Sequence, residues 1–422
     1  MIENADYLKE VREHYENYPY PLRDPKDEAT RLLETELTNF DAIACYCYKG
    51  QQDYKNFDVL VAGCGTGDAV IHWAEFLKDK EDSHVTALDM TEASLNIAKE
   101  RAQVRKLENI TWIHNSLLEL PNMDIGKFDH VNCCGVLHHL ENPDAGLLAL
   151  KSVLKDNASL GIMLYGTYGR TGIYQIQELM RQLNYNEENL QTKVDNTKLV
   201  LKQLPPTNWF NHAKDFVNDV NKFGDVGIYD LFLHSQDRSY SVPETYEYIE
   251  KAGLHFASFA AAYNKNLYNA KNYIQDPELL AKIQSLPKRK QEAVAEILIG
   301  AVNKQTFYVS NQKDCLASPD DMAMVPFFSR LKASTNLELV EVIKKSKGKR
   351  IIFQGMHQKM FFTPTPNSLT ILKHLDGKQN LETIFEKTNA ELGEKLSKED
   401  FIAEFKDIYE PFETHDAMFL RK

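Results

Sequence analysis

Residues 58–70 read DVLVAGCGTGDAV: an apolar run, then Gly63, Gly65 and Gly67 within five positions, then the start of a helical pattern. Glycine weakens helices and strands alike, so three this close together mark a turn whose backbone must be left bare. Strand, tight glycine turn and helix together set a helix N-terminus and free amides against a polar ligand. The expectation is that side chains are missing here so that a ligand can lie on the backbone itself.

The surrounding chain fits one architecture. DVLVAG predicts a buried strand and DAVIHWAEFLKD a helix; HVTALDM a second strand and EASLNIAKERAQVRKL a second helix. NITWIHN and FDHVNCC predict two more strands, and Asn142-Pro143 starts a helix, with asparagine as cap and proline at the first helical position. ASLGIMLYGTY is the fifth strand. Strands alternating with helices imply a parallel sheet in an α/β fold. The domains expected are an N-terminal helical lid (1–57), a ligand-binding core (58–169), a helical insertion forming an acceptor cap (170–238), a completion of the core (239–311), a linker (312–325) and a C-terminal domain (326–422).

Composition narrows the partners. A net charge of −12 speaks against nucleic acid, which is held by clustered lysine and arginine. The opening MIENADYLKE is acidic and polar, and nowhere do eighteen apolar residues run together, so neither a signal peptide nor a membrane span is predicted. The six cysteines show no CxxC or zinc-type spacing. They predict small apolar packing residues in a reduced, bacterial-type cytoplasm, and no metal site.

The ligand's class follows from Asp89, at the end of the second predicted strand and 22 residues after Gly67. An acid there can accept both hydrogens of a ribose diol. A dinucleotide fingerprint would end in a third glycine after two intervening residues, but here the position is Asp68, whose charge at a helix start would repel a pyrophosphate. A nucleoside without phosphates suits the loop better, a flavin or nicotinamide being the alternative.

The GCGTG loop, Asp89 and the later GVLHHLENP together resemble the class I S-adenosylmethionine-dependent methyltransferases, densely over 58–165 and more thinly to about 311. The resemblance implies a Rossmann-like sheet with an antiparallel edge hairpin, S-adenosyl-L-methionine as cofactor and S-adenosyl-L-homocysteine as product. It places Gly63, Cys64, Gly65 and Gly67 along the methionine end and ribose, Asp89 on the ribose hydroxyls and Met90 against adenine. Ser116 and Leu117 would grip the adenine, and Cys134 and Gly135 would lie near the sulfonium. The family usually carries an acid where this chain has Val61, so the cofactor's ammonium needs another anchor.

The acceptor side is less legible. YENYPYP places Tyr15, Tyr18 and Tyr20 where related enzymes fold a lid, Tyr15 and Tyr18 toward the cofactor and Tyr20 toward the chemistry. Aromatic faces suit a sulfonium, and a packing segment is the other reading. His138 and His139 either reach the acceptor or serve as structural hydrogen-bond partners. HSQDRSYSVP sets His234 three residues before Asp237, as a base with its orienting acid or beside an Asp–Arg ion pair. His138, His234 and Tyr20 are thus the catalytic candidates. YENYPYP and HSQDRSYSVP resemble a bacterial subgroup of the family. The acceptor expected is a small thiol or hydroxyl compound, with protein lysine as the alternative and a non-catalytic cofactor sensor as a second. The C-terminal LTILKHLDGKQNLETIFEKTN resembles winged-helix-like modules, and a homo-oligomer is compatible with the sequence. KKSKGKR reads as a solvated loop.

Overall fold

A computed structural model describes residues 12, 15–214, 219–260, 265–332, 334–354, 359–393 and 396–422. The first eleven residues of the expected lid lie outside that set. Chain contacts divide the protein into two units: 1–38, 54–256 and 267–311 in the first, 39–53, 257–266 and 312–422 in the second.

The main sheet has eight strands: β1 (Asp58–Ala62), β2 (His84–Asp89), β3 (Ile110–His114), β4 (Phe128–Cys134), β5 (Leu154–Gly166), β6 (Ser239–Tyr240), β7 (His255–Phe259) and β8 (Lys304–Ser310). Their order is 3-2-1-4-5-8-7, with β6 beside the end of β5. Strands β1 to β5 run parallel, while β8 lies antiparallel to β5. This is the expected Rossmann-like α/β sheet with flanking helices. Val59, Leu60 and Ala62 are wholly buried, the near-continuous apolar run of a strand covered on both faces.

Local signals set the helix ends. Asn142 caps helix Pro143–Ser152 by accepting from the Ala145 amide at 3.1 Å. A Ser241–Glu244 capping box opens helix Val242–Lys251, and Gly253, at φ +66°, follows its end. The insertion forms helices Thr171–Leu183, Leu190–Gln203, Phe210–Ala213 and Asp219–Phe232. Its polar sequence hides one apolar stripe, and Ile173, Ile176, Met180, Val194 and Phe232 form a separate small core.

The second unit corrects the expected boundaries. Residues 39–53 belong with the C-terminal region rather than with the lid, through Ala317 N to Cys45 O (2.7 Å), Lys49 N to Cys315 O (2.9 Å) and Lys422 N to Gly50 O (2.9 Å). The first two of these bonds also tie the segment expected to be a linker, at Cys315 and Ala317. The unit's C-terminal part holds helices Ser368–His374, Leu381–Leu392 and Lys398–Glu413 and the terminal strand Met418–Arg421. Helix Thr335–Ser346, a hairpin of Ile351–Gln354 with Lys359–Phe362, and Val325–Phe328, which pairs with the terminal strand, were not expected. Pro326 disguises the last of these, because proline is rare in paired strands.

One buried ion network links the first unit's helices to the glycine loop. Arg101, 1% exposed within helix Glu92–Arg105, reaches Glu28 Oε1 (2.7 Å), Asp68 Oδ1 (2.7 Å) and the Thr66 carbonyl (2.7 Å). Arg105 also pairs with Glu28, and Arg23 holds Asp68 through two bonds of 2.6 and 2.9 Å. Stripping one partner from such a network leaves a buried charge uncompensated. Arg101→Ala should therefore cost about 3–5 kcal/mol of stability, read as a fall in the denaturant midpoint. Arg31→Ala, which removes the exposed pair with Asp27, should leave that midpoint nearly unchanged; equal effects would deny the network its role.

Candidate functional site

Parallel strands bring their ends to one edge. Gly63–Gly67 after β1, Met90 after β2, Ser116 after β3, Cys134–Gly135 at the end of β4 and Tyr165 near the end of β5 therefore share the carboxyl edge of the sheet. Ligands of open α/β sheets bind in the crevice at that edge.

The glycine loop is closely approached by the protein's own segments. Gly63, Gly65 and Gly67 have φ of +68°, +51° and +98°. A methyl on Gly65 would lie 2.6 Å from the Tyr20 carbonyl oxygen, one on Gly63 2.4 Å from a Val136 methyl, and one on Gly67 2.7 Å from Ala98 Cβ. Side chains here would collide with the protein's own segments, which close on the loop. The N-terminal strap is held there, since Thr66 Oγ1 donates to the Pro21 carbonyl at 2.7 Å. Glu16 accepts from the amides of Glu92 and Ala93 (2.9 and 3.0 Å), fixing the strap to the N-terminus of helix Glu92–Arg105.

Asp89 is buried and accepts from Gly65 N (2.7 Å) at Oδ2, and from Thr91 N (2.9 Å) and Thr91 Oγ1 (2.7 Å) at Oδ1. A carboxylate has about four lone-pair sites, so Oδ2 keeps room for a ligand hydroxyl. Burial raises its pKa above the ordinary value against the pull of these bonds. Asp68 does not stand as the bare repelling charge that the sequence suggests. Burial alone would raise its carboxyl, yet Arg23 and Arg101 offset this and hold it below the usual range. Those guanidiniums are in turn committed to Asp68 and Glu28, not offered to a phosphate. An acid at the end of β2 beside a loop whose cations are already spoken for fits a nucleoside without phosphates.

The other site candidates are placed as follows. Cys64 is buried with its thiol pushed up by burial, and Leu117 is buried. Ser116 caps the turn Leu117–Asn122. Met90 is half-buried, with its carbonyl accepting from His114 Nε2 at 3.1 Å. Cys134 is exposed, unlike the other five cysteines, and Gly135 has φ +77° beside Met163. Tyr18 packs instead into the insertion's small core, stacked on Tyr229 at 5.1 Å. His138 is 0% exposed, stacked on Tyr165 at 3.7 Å with Nε2 3.1 Å from His139 Nε2, so no face of its ring is open to an acceptor. Burial holds it and His139 largely neutral, His139 being lowered to about 4.

Near His234 the sequence alternatives resolve. Asp237 pairs with Arg170 (2.9 Å) and Gln177 (2.9 Å) on the insertion, rather than with His234 or in an ion pair that caps the following helix. Arg170 lies 3.5 Å from the Tyr165 ring centroid. His234 stacks on His139 at 3.9 Å, accepts from the Gln236 amide at Nδ1 (3.1 Å), and brings Nε2 to 3.4 Å from Tyr15 Oη. Tyr15 donates to Asp230 Oδ1 at 3.2 Å. Sequence reasoning missed Asp230, Glu16, Arg23 and Arg101; none of them belongs to a local motif.

Two substitutions test the cradle by calorimetry. Gly65→Ala should abolish binding of S-adenosylhomocysteine, because it meets both a left-handed φ and the Tyr20 carbonyl. Asp89→Ala should weaken binding by about 1–3 kcal/mol, the value of charge-assisted hydrogen bonds. A ligand hydroxyl favours the ionised carboxylate, so wild-type affinity should fall as pH is lowered through the raised pKa of Asp89. That fall should vanish in Asp89→Ala, and its persistence would move the ribose site elsewhere.

Comparison with known proteins agrees with this geometry. Residues 60–160 match the family model described as a methyltransferase domain. An uncharacterized protein of Synechococcus sp. is 27% identical over 300 residues, 70% of either chain. The demethylmenaquinone methyltransferase of Listeria welshimeri is 33% identical over 106 residues, which are 25% of this chain and 44% of that protein. The chain thus spans under half of the Listeria relative. PKMT2 from Rickettsia typhi, solved in complex with AdoHcy, shares the fold with a TM-score of 0.60 at 16% identity, covering 92% of this chain and 76% of that one. Residues 60–160 thus carry a methyltransferase domain on a sheet of this order.

Proposed function

We propose that this enzyme transfers the methyl group to a small-molecule nucleophile, a thiol or a hydroxyl, enclosed at the carboxyl edge of the sheet. The observation that carries the reading is the strap formed by residues 15–21. It is fastened to the glycine loop through Tyr20 and Pro21, to helix Glu92–Arg105 through Glu16, and to the insertion through Tyr15 and Tyr18. A strap tied at three places supports a site closed over a compact acceptor rather than one open to a folded protein surface. The names of two relatives point the same way: the Listeria demethylmenaquinone methyltransferase and the ubiquinone biosynthesis O-methyltransferase of Alkalilimnicola ehrlichii, the latter 26% identical over 35% of this chain and 54% of that protein.

Within this reading the cofactor supplies an activated methyl on a sulfonium. The protein aligns the acceptor with it and excludes water. Gly63, Gly65 and Gly67 border its methionine end and ribose, Asp89 its ribose hydroxyl, Met90, Ser116 and Leu117 its adenine. Cys134 and Gly135 lie near its sulfur, and Tyr20 and His234 stand on the acceptor side.

Methyl-labelled cofactor incubated with separated small-molecule and protein fractions of a bacterial lysate should leave its label in the small-molecule fraction. Label chiefly on protein lysines would overturn the reading in favour of a protein acceptor. His234→Ala should lower turnover by tenfold or more, about 1.4 kcal/mol, with cofactor affinity retained.

A further inference from the structure

We propose that Asp230 is the proton acceptor of the reaction, reached through the Tyr15 hydroxyl, and that the methyl acceptor is a hydroxyl compound that arrives un-ionised. The inference rests on the small-molecule reading above and narrows it. His234 is the obvious base, but its geometry denies it that role. Its Nδ1 lone pair is taken by the Gln236 amide at 3.1 Å, so the neutral ring carries its proton on Nε2. Nε2 therefore donates, and the atom it approaches is the Tyr15 oxygen at 3.4 Å. Tyr15 in turn donates to Asp230 Oδ1 at 3.2 Å. The three groups form a directed chain that runs from the imidazole to the carboxylate, and only the carboxylate can take up a proton.

The chain lies where an acceptor would sit. Tyr15 is beside Tyr20 and Tyr165, with Tyr20 on the glycine loop and Tyr165 near the end of β5. Tyr165 and Met163 alternate by two along β5 and so share a face, and Met163 pairs with the exposed Cys134 of β4. Aromatic rings, a thioether and a buried acid not engaged by Arg170 suit a planar hydroxylated molecule. The step balances as follows. The acceptor's O–H bond breaks and its proton passes to the Tyr15 oxygen, while Tyr15 gives its own proton to Asp230. The acceptor oxygen's lone pair forms the new O–CH3 bond as the S–CH3 bond breaks, leaving that electron pair on sulfur as the neutral thioether. The product is a methyl ether, with Asp230 protonated and its charge cancelled against the lost sulfonium. A thiol acceptor ionises near neutral pH without help and would not need this chain.

Two measurements on the full-length protein test this. In the first, label transfer to the small-molecule extract should fall about 100-fold or more in Asp230→Asn, the scale of general-base catalysis, and partly recover in Asp230→Glu. Calorimetric affinity for S-adenosylhomocysteine should stay within about twofold of wild type, which also reports folding. Transfer in Asp230→Asn at more than half the wild-type rate, or transfer to thiols alone, overturns the proposal. The second needs no acceptor. The Tyr15 hydroxyl meets Asp230 and His234 and feels Tyr165 and Tyr20, and burial together with Asp230 holds its ionisation well above the ordinary tyrosine value. The tyrosinate absorbance missing in Tyr15→Phe should appear at lower pH in Asp230→Asn; an unmoved titration overturns the pairing. Absence of small-molecule labelling by wild type would strike the function proposed above, while the tyrosinate shift still judges the Asp230–Tyr15 pair.

Discussion

Two hydrogen bonds of 2.7 Å hold the glycine loop in place, and most of the site depends on them. Asp89 receives the Gly65 amide from one side, and Arg101 grips the Thr66 carbonyl from the other. Backbone polar groups in a buried turn must find partners. Here the partners come from the end of β2 and from the next helix, which locate the loop relative to the sheet. Its three glycines then admit Val136, the Tyr20 carbonyl and Ala98, which bring the start of the 136–139 turn, the strap and helix Glu92–Arg105 against one short segment.

Charge follows the same economy. The acids of this region, Glu28, Asp68, Asp89 and Asp237, are buried or nearly so, and each is met by a guanidinium or by amide and hydroxyl donors. A buried ion that lost its partners would cost several kcal/mol, so these residues fix one arrangement of loop, strap and insertion. The histidines obey the opposite rule. Burial keeps His138 and His139 neutral, which lets them stack on Tyr165 and His234 as flat packing surfaces rather than as bases.

Relatives extend unevenly along the chain. The methyltransferase family model covers residues 60–160, whereas the fold shared with the Rickettsia protein covers 92% of the length. The glycine loop and Asp89 thus lie in the part matched by sequence, and the wider likeness is one of fold. Within the second unit, Lys265 and Tyr46 both meet Glu413, joining its three separate stretches of chain around a single carboxylate.

By itself, the sequence determined the strand–helix alternation, the glycine turn with its acid 22 residues on, and the capped helix starts, because periodicity, caps and turns act over a few residues. It also carried the cofactor, through a motif confined to one such neighbourhood. Only the tertiary structure decided what fills the space the glycines leave, that Asp68 is neutralised, that Asp237 turns to Arg170 and that residues 39–53 belong with the C-terminal region. It alone brought Arg101 to Glu28, 73 residues away, and Tyr15 to Asp230, 215 residues away. Such pairs leave no local signature: each is an ordinary charged or aromatic residue on its own segment, and its role exists only once the sheet has brought distant segments to the same edge.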